Sequence, residues 1–216
     1  MSIALDGEDV KRILKKLAQV FKENRDMLND LDTKLGDGDH GRSMDLGFSA
    51  SAAYVDGQNQ ADISETLMNA GMQFNEAAGS TIGILMFSAM REAGKSCAGK
   101  EQLSLPDLKE MLDAAINGIK KRGKADVGQK SILDSLVPAL RAIEEGLEDA
   151  SSDEEAVISK AIDAASSGAE STRQMKPTIG RARWFSERSG NEIDPGAVSG
   201  ALMIKTIGEY LLSRQA

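Results

Sequence analysis

The sequence predicts an all-α protein, and three observations carry that expectation. Helix-forming Ala, Leu, Met, Glu and Lys outnumber the β-branched residues along most of the chain. Aromatic residues make up only 4% of it. The longest apolar patterns recur at i, i+3, i+4 and i+7, the spacing of one helical face. At 216 residues the chain has the length of one domain with a substantial core, and no linker or internal repeat divides residues 1–216.

The first helix is predicted from Val10, Ile13, Leu14, Leu17, Val20 and Phe21, continuing on the same face to Leu28 and Leu31. It runs out in LDTKLGDGDHG, where Gly36, Gly38 and Gly41 alternate with acids and no core period survives. A second helix is expected from Gly41 to Tyr54, with a turn at VDGQNQ. Asp62 and Glu65 form a capping-box signature for a third helix through Leu67, Met68 and Met72. After Ala78-Gly79-Ser80-Thr81 the run Ile82 to Met90 is apolar nearly all round, as a central buried helix would be. Ser104-Leu105-Pro106-Asp107 opens a fifth helix carrying Leu108, Met111, Leu112, Ile116 and Ile119.

A sixth helix is expected from Ser131 to Leu147, with Ile132, Leu133, Leu136, Leu140 and Ile143 facing inward. Ser152 with Glu155 signals a seventh, whose Ala and Ser content permits close packing. A polar, Arg-bearing loop spans Met175 to Ile193, and Asp194-Pro195 opens the last helix through Val198, Leu202, Ile204 and Leu211. The expectation is therefore eight helices.

Composition excludes several function classes. Net charge is −8, against the clustered Lys and Arg that hold a nucleic-acid backbone. No run of about 20 apolar residues offers a membrane span, and mean hydropathy is −0.30. The single cysteine, Cys97, forbids an internal disulfide and any Cys-based zinc site. The N-terminal MSIALDGEDVKR carries early acids and no basic-then-apolar pattern, so it is expected to be no signal peptide and the chain to be cytoplasmic. One histidine, His40, excludes chemistry that needs two imidazoles.

Four features could carry chemistry. Asp32, Asp37 and Asp39 lie within eight residues, interleaved with glycine and followed by His40. Such carboxylates repel one another unless a cation sits between them, and a hard divalent ion resolves this. An EF-hand fails because Phe48 stands where its bidentate Glu would fall; magnesium, which is shared between a few carboxylates and substrate phosphates, fits better. The plainer alternative is a solvated acidic turn. Ala89 to Ser96 satisfies a relaxed P-loop pattern, but Gly99 and Pro106 interrupt the helix that must follow, so a helix end stopped at Gly94 is the better account. Gly79-Ser80-Thr81 could admit a phosphate to the free amides of a helix start, or simply cap it. Lys176 to Arg183 gathers positive charge in an acidic chain, as an anion clamp or as a solvated loop.

These residues together resemble the L subunit of the dihydroxyacetone kinase family over nearly the whole chain. The resemblance rests on LDTKLGDGDHGRSM at 31–44, AAGSTIG at 77–83, KKRGKADVGQKSILD at 120–134, and IGRARWFSERS with DPGA within 179–197. It implies an eight-helix antiparallel barrel that binds ADP or ATP at one end through two magnesium ions. Carried over by position, Asp32, Asp37 and Asp39 would be the magnesium ligands. His40, Gly41, Arg42 and Ser43 would contact the nucleotide, as would Ser80, Thr81, Gly123, Ile132, Arg181, Asp194, Pro195 and Gly196. The sequence departs from the family pattern at Ile82 and Gly83 in the glycine loop, at Ser43 where Asn is common, and at Gln129 where Asp is common.

The resemblance further implies a phosphotransferase subunit, passing the γ-phosphoryl group to a small keto sugar held on a separate K-type subunit. ADP would either stay bound and be recharged by a phosphotransferase-system protein, or exchange with ATP. An alternative of another class is a regulatory partner that binds a transcription regulator in one nucleotide state.

Overall fold

Helices in this protein start where a polar side chain can accept from the first free amides. The computed structural model describes residues 3–58, 62–149, 152–180, 183–184 and 191–214. In α1 (Gly7–Glu23) the Asp6 carboxylate accepts from the Asp9 amide at 2.9 Å, and Asp9 accepts from the Asp6 amide at 3.1 Å. The same reciprocal box, from Ser104 and Asp107, opens α6 (Leu105–Gly123). Asp62 caps α4 (Ile63–Ala78) by accepting from the Glu65 amide, without the reciprocal half of the expected box among the described residues, and Asp194 caps α9 (Pro195–Ser213) as the sequence predicts. The remaining elements are α2 (Arg25–Leu35), α3 (His40–Asp56), α5 (Thr81–Ser96), α7 (Leu133–Glu148), α8 (Glu154–Ser171) and a short 3-10 turn, Thr172–Gln174.

Three local expectations are corrected. The first predicted helix is two, α1 and α2, because Asn24 leaves helical geometry and its side-chain amide donates to the Val20 carbonyl at 2.8 Å. The cap of α8 is Asp153, which accepts from the Ala156 amide at 2.7 Å; Ser152 instead donates to Asp149. Gly94 does not end α5, which runs to Ser96. A side chain there would press on the Ser64 carbonyl at 2.9 Å, so Gly94 is the point where α5 lies against α4. Lys95 and Ser96 are therefore helical and form no phosphate loop.

Among the described residues the architecture is all-helical, and eight of the helices form a closed ring. In order, α1, α3, α4, α5, α6, α7, α8 and α9 each pack on the next, and α9 returns to α1. The two-residue connection Gly79–Ser80 reverses the chain between α4 and α5, which lie side by side. The helix α2 prolongs α1 and lies mainly on α3. An aromatic column joins three staves of the barrel: Phe21 stacks on Phe48 with centroids 4.8 Å apart, and Phe74 meets Phe48 edge-on at 5.0 Å. The interior is apolar, with a cavity of about 190 Å³ lined by Leu, Ile, Val, Met, Ala and Phe48 side chains. No helix among the described residues is long and apolar enough to cross a membrane.

Candidate functional site

The turn between α2 and α3 is built to bring carboxylates together. Gly38 sits at φ +77°, the left-handed region that favours glycine, and reverses the chain between Asp37 and Asp39. One Asp32 oxygen accepts from the Asp39 amide at 3.0 Å and the His40 amide at 3.2 Å. The last turn of α2 thereby caps the start of α3, a task the Asp39 side chain does not perform. Ligand oxygens of Asp32, Asp37 and Asp39 all lie within 4.8 Å of one another. Unit charges this close repel by roughly 1–4 kcal/mol per pair, depending on how much water surrounds them.

His40 faces the same end of the barrel, and its Nε2 lies 2.8 Å from the Ser199 hydroxyl of α9. Burial holds its imidazole down at about 4, against the attraction of Asp32. It is neutral at physiological pH and supplies a hydrogen-bonding group rather than a charge.

Opposing walls come from three further helix starts. At the first, Gly79 takes φ +55° with open space around it, ending α4. Ser80 then precedes α5 without making a side-chain cap, and its Oγ is buried with no hydrogen-bond partner among the described residues. At the second, Asp134 accepts from the amides of Ser131, at 2.7 Å, and of Gly128, drawing the 128–131 turn tight before α7. At the third, Asp194 is buried, accepts from the Ala197 amide at 2.8 Å and donates its own amide to the Thr172 hydroxyl at 3.0 Å. Burial pushes the Asp194 carboxyl up to about 7; repulsion from Asp134 and Asp32 adds to this, and the Ala197 amide and Lys130 oppose it.

These segments surround one cleft of about 230 Å³. Of the residues singled out in the sequence, Asp32, Asp37, Asp39, His40, Ser80, Thr81, Ile132, Asp194, Pro195 and Gly196 line it, and so does Ile82. Gly41, Arg42, Ser43 and Gly123 do not. Gly41 lets α3 come against the Arg25 carbonyl, which a side chain would strike at 2.0 Å. The Arg42 amide is bound by Asn29, Ser43 is buried, and Gly123 stands behind Leu85. Arg181 lies outside the described residues. Leu85, Lys130, Ser131, Ile179 and Gly180 also line the cleft and were not named as site residues, although Ile179 and Gly180 fall within the Lys176 to Arg183 stretch read as a possible anion clamp. Lys130 and Ser131 fall inside a motif that the sequence did single out, yet no local pattern marks their role.

The donor set fits a hard cation and an anion side by side. Three carboxylates offer only oxygen ligands, the preference of magnesium. The orphan Ser80 hydroxyl and the free amides at the start of α5 are donors awaiting an acceptor.

Comparison with known proteins gives the family. The chain is 32% identical over 198 residues to PEP-dependent dihydroxyacetone kinase 1, ADP-binding subunit DhaL, of Listeria innocua, covering 92% of this chain and 93% of that one. It is 30% identical over 209 residues to the PEP-dependent dihydroxyacetone kinase ADP-binding subunit DhaL of Escherichia coli, covering 95% and 97%. The crystal structure of the dihydroxyacetone kinase from C. freundii in complex with AMP-PNP and Mg2+ superposes with a TM-score of 0.72 at 25% identity. That match covers 93% of this chain and 33% of the other, so the present chain spans about a third of that kinase. Residues 34–209 match the DAK2 domain. The chain belongs to the DAK2 domain family.

Proposed function

We propose that this protein is the nucleotide-binding subunit of a kinase for dihydroxyacetone or a similar small keto sugar, a phosphotransferase component that works with a separate K-type subunit. The observation that carries the reading is the sharing of one cleft by the three-carboxylate cluster and the orphan Ser80 hydroxyl. An acidic chain repels a diphosphate unless a cation stands between the two, and here the carboxylates and the anion-seeking donors meet at one place. Relatives named as ADP-binding subunits support the choice of nucleotide.

Each group then has a task. Asp32, Asp37 and Asp39 hold the metal, with Asp32 fixed by two backbone amides. Magnesium, when bound, neutralises phosphate oxygens and orients the transferring group. Ser80 and the first amides of α5 donate to phosphate. Ile82, Leu85 and Ile132 supply apolar wall for the base, and neutral His40 hydrogen-bonds without adding charge. Phosphoryl transfer asks the protein for position and charge balance rather than a covalent partner. The keto sugar itself is assigned to the K-type subunit.

Two modes of supply follow from the same site: ADP kept as a fixed cofactor and recharged by a phosphotransferase-system protein, or ATP exchanging at each turnover. We infer the first. Protein desalted and examined by mass spectrometry for ADP and divalent metal tests it, together with turnover on ATP alone. Retained ADP and no turnover on ATP are expected; ready exchange and ATP-driven turnover overturn the fixed-cofactor mode.

A further inference from the structure

Lys130 is a lysine inside the protein. It takes φ +63°, a conformation that costs a non-glycine residue about 1 kcal/mol, and its residue surface is 2% exposed. Burying an ammonium group costs several kcal/mol unless its donors are met. Here Nζ donates to the Met175 carbonyl at 3.2 Å and the Glu192 carbonyl at 2.7 Å. Burial depresses the Lys130 pKa, while Asp194 and Glu192 attract the charge and sustain it.

Those two carbonyls stand at opposite stems of the segment between the 3-10 turn and α9. From this segment Ile179 and Gly180 line the cleft, and farther along lie Arg183 and Trp184, the guanidinium 4.6 Å from the indole centroid. Other ties hold the same stems. The Thr178 amide reaches the Gln129 carbonyl at 3.5 Å, Arg173 reaches the Asn191 carbonyl at 3.0 Å, and Lys34 pairs with Glu192 at 2.9 Å. The Lys34 and Arg173 side chains are 53% and 39% exposed, and exposed ties of this kind are weak. Lys130 alone among these cations is internal, and it joins both stems to the start of α7 with one group.

We infer that Lys130 is a positioning residue for the nucleotide cleft: its buried ammonium ties the Met175 and Glu192 carbonyls to the turn that precedes α7, and so sets Ile179 and Gly180 in the cleft wall. The inference rests on the nucleotide reading for its effect on binding, but the clamp itself does not.

Trp184 is the sole tryptophan and is 75% exposed, so its fluorescence reports this segment directly. Steady-state anisotropy of Trp184 in ligand-free protein, and calorimetric titration with ADP and magnesium, would be compared for wild type, Lys130→Met and Lys130→Arg, with circular dichroism to confirm folding. Lys130→Met is expected to lower Trp184 anisotropy and to weaken Mg-ADP binding about tenfold, the scale of one lost buried hydrogen bond to a charged donor. Lys130→Arg, which keeps a charged donor, is expected to restore both. Wild-type anisotropy and affinity in Lys130→Met would overturn the inference, as would equal losses in both variants. Should Lys130→Met not fold, Lys130→Gln, a neutral side chain that can serve one carbonyl, takes its place: intermediate anisotropy supports the clamp and wild-type anisotropy refutes it. If wild-type protein binds no Mg-ADP, the nucleotide reading fails, and the ligand-free anisotropies still decide the clamp.

Discussion

Tyr210 donates its hydroxyl to an Asp9 oxygen at 2.6 Å, joining the last helix of the ring to the first. Asp9 is fully buried and also pairs with Arg12 and Arg214. The chain is thus fastened into a ring at a point remote in fold from the cleft. Removing the hydroxyl leaves a buried carboxylate short of a donor. Tyr210→Phe should lower unfolding free energy by about 1.5–3 kcal/mol, the range for hydrogen bonds to charged groups, with Mg-ADP affinity unchanged. Urea denaturation beside calorimetry checks both. A variant as stable as wild type would show that packing alone closes the ring.

Asp9 and Asp194, both buried, predict opposite responses to pH. Burial raises the Asp9 carboxyl, but the Tyr210 hydroxyl, the Asp6 amide and the Arg214 and Arg12 charges outweigh this and hold it below 3.8. The folded state therefore binds that proton less readily than the unfolded chain. Asp9 stabilises the fold above the ordinary carboxylate range, and this contribution is lost as pH falls below it.

Asp194 behaves in the reverse sense, because its folded value of about 7 lies above the ordinary 3.8. Its contribution is fully present below 3.8 and is lost as pH rises through about 7. Asp194→Asn keeps an oxygen to cap α9 and carries no charge. In ligand-free protein it should flatten the fall in urea midpoint that wild type shows between about pH 5 and about pH 8. An unchanged slope would mean that Asp194 is ionised throughout.

Ser80 offers a test that separates binding from folding. Its Oγ is buried without a partner, so deleting it removes no protein hydrogen bond. Ser80→Ala should match wild-type stability within about 0.5 kcal/mol or exceed it, and should weaken Mg-ADP binding about tenfold, equivalent to about 1.4 kcal/mol. Loss of stability with unaltered affinity would place the hydroxyl in the fold rather than in the site.

What the sequence revealed followed the range of the interactions involved. Caps such as Asp62, Ser104 and Asp194 act within three residues and were legible. The carboxylate cluster was legible for the same reason, since Asp32, Asp37 and Asp39 share one short turn. The break at Asn24 was hidden because the apolar period passes through it, with Leu28 buried on the face that α1 began. Gly94 was misplaced because its function depends on Ser64 in a neighbouring helix. Lys130 was missed because its two carbonyl partners lie 45 and 62 residues away. Closure of the ring through Asp9 and Tyr210 spans 201 residues and leaves no local mark.

In the proposed function, Asp32, Asp37 and Asp39 hold a metal that lets this acidic chain bind a nucleoside diphosphate. Calorimetric titration of ADP into wild-type and Asp37→Asn protein, with magnesium and then with a chelator, tests it most directly. Tight binding of ADP to wild type in magnesium, its loss in chelator, and an affinity at least about tenfold weaker for Asp37→Asn are expected. Equal ADP binding with and without magnesium, or wild-type affinity in Asp37→Asn, would contradict it.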